Sequence, residues 1–96
     1  MRKVTLKQAK HIGKRLKLNF EIIDLKEFRY GMEVELEHGK RFGAITNVTN
    51  DDLYLTGKIV LAHLVEFPDY YARLKKMESV AERYWAKRKR PNIFLK

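Results

Sequence analysis

Apolar residues return every three or four positions along most of this 96-residue chain. That is the period of helices with one buried face, and it excludes a fold built mainly from strands. "TLKQ" at 5–8 puts Thr5 three residues before Gln8, the reciprocal arrangement of a capping box. Leu6, Ala9, Ile12 and Leu16 follow at helical spacing, with Lys7, Lys10, Lys14 and Lys17 mainly on the opposite side. "LNFEII" turns the corner and offers Phe20, Ile22 and Ile23 to a core. "DLKE" at 24–27 starts a second helix, with Asp24 as N-cap and Glu27 in its first turn. Leu25, Phe28, Met32 and Leu36 carry its apolar face. Gly39 is placed to stop this helix, and Gly31 reads as a mild defect inside it.

Residues 39–50, "GKRFGAITNVTN", are the longest break in the pattern and read as a polar loop. "NDD" at 50–52 supplies N-caps for a third helix, in which Ile59, Val60 and Leu64 can face the core. Pro68 cannot continue that helix and suits the first turn of the next. The fourth helix reads as long, with Tyr70, Leu74, Met77, Ala81 and Trp85 as its stripe and Pro91 ending it. Ile93, Phe94 and Leu95 either pack back or stay loose. The expected fold is all-α, a small bundle of about four helices over residues 1–90 with a tail at 91–96. Short connections favour antiparallel neighbours. The expected core is Leu6, Ile12, Leu16, Phe28, Met32, Ile59, Leu64, Leu74 and Met77, with Tyr70 and Trp85 at its margin.

The chain has no cysteine, which excludes disulfides and cysteine-ligated zinc and fits a reducing, cytoplasmic setting. No apolar leader is visible in the first ten residues, and no run approaches the ~20 apolar residues of a membrane span. The net charge of +9 is unevenly spread. Residues 1–32 carry nine bases against three acids, residues 33–70 three against seven, and residues 71–96 nine against two. Basic ends point to a polyanion, either nucleic acid or an acidic protein surface. The acidic middle has a separate task.

In that middle, Glu35 and His38 are three apart, as are His63 and Glu66 in reversed order. On helices each pair shares a face, and antiparallel packing of the second and third helices would bring the pairs together. Two imidazoles and two carboxylates suit one zinc, iron or manganese ion, with Glu37 or Asp69 as further donors. The same residues also make a metal-free polar network, or lie apart on the surface.

Lys87, Arg88, Lys89 and Arg90 form a run at the end of the fourth helix, beside Tyr84 and Trp85. With Arg83 and the lysines of the first helix they compose a candidate nucleic-acid surface, the cations meeting phosphates without reading sequence. A solvated basic face that complements helix dipoles accounts for the same residues. There is no nucleophilic cysteine and no glycine-rich phosphate loop, and the lone Ser79 has no evident base. A non-enzymatic chain is therefore expected.

The blocks "GMEVELEHG", "TNVTNDD" and "TGKIVLAHLVEFPDYYARLKKME" resemble a small domain family of unknown function found in bacterial, phage and large-DNA-virus proteins. The resemblance runs from "TLKQAKHIGKRL" through "KKME", and the tail "SVAERYWAKRKRPNIFLK" lies outside it. It implies a compact helical domain in a phage or viral setting and implies no activity. The leading expectation is a basic binding module in a nucleoprotein assembly. The alternatives are a metal-binding domain with the His/Glu site and a structural minor virion component.

Overall fold

The computed structural model describes residues 3–91, except the side chain of Phe42. Four α-helices and no strand are present among them: α1 (Leu6–Arg15), α2 (Leu25–Glu35), α3 (Leu53–Glu66) and α4 (Tyr70–Trp85). No helix there is long and apolar enough to cross a membrane. Apart from Pro91, the expected tail at 91–96, with Ile93, Phe94 and Leu95, lies outside the described residues.

The starts of the first three helices follow from local chemistry. Thr5 Oγ1 accepts from the Gln8 N–H and Gln8 Oε1 accepts from the Thr5 N–H, closing the capping box. Asp24 accepts from the Lys26 N–H at 2.8 Å, and Asp52 from the Leu55 N–H at 2.9 Å. Each satisfies an otherwise orphaned helix donor. At the head of α4, Asp69 makes no such cap and pairs instead with Arg73 at 2.9 Å. The arginine's hydrogen bond holds this carboxyl below its usual range.

The core joins Ala9 and Ile12 of α1, Phe28 and Met32 of α2, Val60 and Leu64 of α3, and Tyr71 of α4. Burying each large apolar side chain is worth roughly 1.5–3 kcal/mol. The two helix-interior glycines on this core are approach points. A Cβ at Gly31 would sit 2.7 Å from both Tyr71 and Val60, and one at Gly57 would sit 2.6 Å from Ile12. Gly31 is therefore no defect: its missing side chain lets α3 and α4 close on α2.

Those approaches also fix helix direction, and here the expected antiparallel packing of α2 and α3 is overturned. Phe28 meets Gly57, Gly31 meets Val60, and Glu35 meets His63. The paired numbers rise together, so α2 and α3 run parallel. The long connection between them makes this possible. It is not featureless loop, but three short 3₁₀ turns at Leu36–His38, Lys40–Phe42 and Ala44–Thr46. The His38 carbonyl accepts from Val48 and Thr49 N–H, and Asp51 accepts from the Lys40 N–H at 3.0 Å, pinning both ends of the crossover.

Two further expectations are corrected. Leu6 is 41% exposed and Met77 61% exposed, so neither is core. The fourth helix is also shorter than expected, ending at Trp85, with Lys87, Arg88, Lys89 and Arg90 beyond it in turn and extended chain. Tyr70 packs on the core's edge as expected, while Leu16 and Leu74, expected inside the core, are only partly buried at the same edge.

Candidate functional site

Glu35 is the last residue of α2 and is 4% exposed. Burial disfavours a charged carboxylate, and so does the partial negative charge at a helix C-terminus. His63, in the last turn of the parallel α3, brings a second C-terminus to the same place. A buried anion between two negative helix ends is electrostatically expensive. Such conflicts between local rules and placement concentrate where a protein has work to do.

The structure gathers cation-capable groups around this carboxylate. His38, on the 3₁₀ turn that continues α2, points Nε2 at Oε2 from 3.6 Å. His63 points Nε2 at Oε1, also from 3.6 Å. Tyr71 donates its hydroxyl to Oε1 at 2.9 Å, the one hydrogen bond to this carboxylate among the described residues. Burial first, then the charge of Glu35 and the bond to it, push the Tyr71 hydroxyl up, so it remains a proton donor. The His63 ring is stacked on Tyr70 at 4.2 Å between centroids and 16° between planes, and Tyr71 meets its edge. The His63 ring is thereby packed on two aromatic neighbours, whereas the His38 side chain is 58% exposed.

Of the four residues expected to form a metal site, Glu35, His38 and His63 converge and Glu66 does not. Glu66 ends α3 exposed. Among the described residues no group of three or more His, Asp and Glu side chains stands as a ready metal site. Asp69 is engaged with Arg73, and Glu37 with Arg41 at 3.6 Å. Tyr71, which the sequence reading passed over, is central. It follows Tyr70 in a helix apolar on more than one face, so periodicity had no means of choosing between them. Glu33 was also passed over: buried on α2, it accepts from the Val4 N–H at 2.8 Å and straps the N-terminal segment to the bundle.

The basic surface divides into two parts. Lys7, Lys10 and Lys14 lie on the face of α1 opposite its buried Ala9, Ile12 and Gly13, and all three are exposed. Lys17 is exposed just past the helix, with left-handed backbone at φ 61°. None of these four lysines pairs with a carboxylate among the described residues, and α1 itself contains no acid. At the other end, Arg83 is exposed on α4, and Lys87 and Lys89 are exposed beyond it. Arg88 folds back, its guanidinium 4.2 Å over the Tyr84 ring and donating to the Tyr84 carbonyl at 2.8 Å. Arg90 lines a cleft with Glu37, Arg41, Glu78 and Glu82, and so faces carboxylates as well as solvent.

The carboxylate cluster sits within residues 9–80, which match the model of a family described as a protein of unknown function, DUF5661. The chain belongs to the DUF5661 family. The Glu35, His38, His63 and Tyr71 cluster falls inside the DUF5661 match, as do Lys10, Lys14 and Lys17, while Lys7 and Arg83 to Arg90 fall outside it. No curated protein and no solved structure matches the chain.

Proposed function

We propose that this DUF5661 chain is a non-enzymatic binding module that holds nucleic acid through the basic face of α1, assisted by the cations of residues 83–90. The observation that carries the reading is the four unpaired, exposed lysines 7, 10, 14 and 17 on and just after an acid-free helix. Unpaired cations on one face neutralise phosphates and release their counterions, and they do so regardless of base sequence. The setting we propose for the chain is a nucleoprotein assembly of a phage or virus in the cytoplasm. Fluorescence anisotropy against a labelled duplex tests it. Lys7/Lys10/Lys14/Lys17→Gln should weaken binding about tenfold or more at moderate salt. Lys87/Lys89→Gln should add a smaller loss. Binding that ignores the α1 substitutions would remove the reading.

A second reading is favoured by the convergence of His38 and His63 on one buried carboxylate. Glu35 lies at two helix C-termini, where a cation is electrostatically welcome. A rotation of exposed His38 would let the two imidazoles and Glu35 share a zinc, iron or manganese ion, with Tyr71 orienting the carboxylate from behind. Elemental analysis of chelator-free protein tests this. Stoichiometric metal lost in His63→Ala supports it, and an equal melting temperature with and without chelator removes it.

A further inference from the structure

The second half of α4 carries an apolar stripe that the described chain leaves exposed, apart from the Arg88 guanidinium over Tyr84. Met77 is 61% exposed, Val80 57% and Tyr84 50%. Three-and-four spacing places them in one line with Tyr70. The line begins at a shallow groove walled by Phe67, Tyr70, Leu74 and Met77 together with Arg73, whose guanidinium lies over Phe67. A continuous exposed strip of large apolar side chains on a small soluble chain marks a contact surface.

The charges beside the stripe say what covers it. Lys76 and Arg83, seven apart, run along one edge, and Arg88 sits over Tyr84 at its end. The acids of α4 lie on the other side of the helix. Burial, then the charge of Glu78, pushes the Tyr30 hydroxyl of α2 up, and Glu78 and Glu82 line the cleft with Glu37. The stripe is thus apolar with a cationic margin. An antiparallel pairing of two copies sets Lys76 and Arg83 against like charges, whereas the glutamates of an acidic partner complement them. We infer that this stripe is the docking groove for an acidic amphipathic helix of a partner protein, whose apolar face covers Met77, Val80 and Tyr84 and whose glutamates meet Lys76 and Arg83. This helix-in-groove mode draws affinity from the apolar anchors and orientation from the charged rim. It shares Arg83 and Arg88 with the nucleic-acid reading but does not depend on it, because that reading rests on the lysines of α1.

Two synthetic helical peptides with the same leucine stripe test it, one flanked by glutamates and one by lysines. Isothermal titration calorimetry on the full chain gives the affinities. The glutamate peptide should bind at least about tenfold tighter than the lysine peptide. Met77→Ser with Val80→Ser should cost it at least about tenfold, and because both residues are exposed the fold should persist. Lys76→Glu with Arg83→Glu should reverse the preference. Equal affinity for both peptides, or none for either, overturns the inference. So does a concentration-dependent dimer in sedimentation that Met77→Ser abolishes, which would give the stripe to a second copy. Displacement of the glutamate peptide by duplex DNA, with binding indifferent to Met77→Ser, would give it to nucleic acid and equally overturn it.

Discussion

Replacing Tyr71 with phenylalanine isolates the interaction that makes Glu35 tolerable. The ring fills the same volume, so packing against Gly31 and Val60 is retained. What disappears is the hydroxyl at 2.9 Å from Oε1. A hydrogen bond to an ionised group is worth roughly 1.5–3 kcal/mol, and Glu35 would retain only the two imidazoles at 3.6 Å. We expect a loss of about 2 kcal/mol, or roughly 8–16 °C in Tm for a domain of this size. Urea and thermal denaturation followed by far-ultraviolet circular dichroism measure it. The attribution to the charge is checked in a Glu35→Gln background, where the same substitution should cost only about 0.5–1.5 kcal/mol. A loss in the wild-type background below about 0.5 kcal/mol, or the same loss in both, would refute the argument that a buried anion is being held.

Gly31→Ala should destabilise by up to about 2 kcal/mol in denaturant titration, because overpacking against Tyr71 and Val60 outweighs the gain of about 1 kcal/mol in helix propensity. An increase in stability would mean that α4 can retreat from α2 at no cost. Burial, then the charges of Glu37 and Glu82, hold the Glu78 carboxyl above its ordinary range. A folded-state pKa raised in this way leaves stability greatest below the ordinary carboxylate range and lost as pH rises through the raised value. Glu78→Gln should therefore raise unfolding stability slightly at neutral pH, by a few tenths of a kcal/mol, with the gain vanishing on acidification. A gain that persists in acid would contradict the sign. Asp52→Ala should cost about 1 kcal/mol by removing the α3 N-cap, and an unchanged unfolding midpoint would contradict it.

The helices and their starts were legible because their causes are local. Thr5 with Gln8, and Asp24 and Asp52, satisfy donors within four residues of themselves. The convergence of Glu35, His38 and His63 was half legible. Spacing placed Glu35 with His38, but the helix direction that brings His63 to them depends on the 36–52 crossover. Its short 3₁₀ turns have no apolar period to reveal them. The parallel arrangement is what leaves Glu66 out, because α3 ends there at the surface. Met77 was expected in the core and Tyr71 was passed over for one reason: the apolar residues of α4 do not fall on one narrow stripe. Only packing decides which stripe meets α2 and which stays in solvent. The role of Gly31 was invisible for a similar reason, since an absent side chain has no pattern. The basic face of α1 could be read directly, because its lysines pair with no carboxylate among the described residues.

The most direct measurement of the central claim is the affinity of the unmodified chain for a labelled duplex across a salt series. Lys7, Lys10, Lys14 and Lys17, with help from the C-terminal cations, predict a linear fall of log affinity with log salt at a slope of about −4 to −6. Absence of binding at low salt, or a slope near zero, would contradict it.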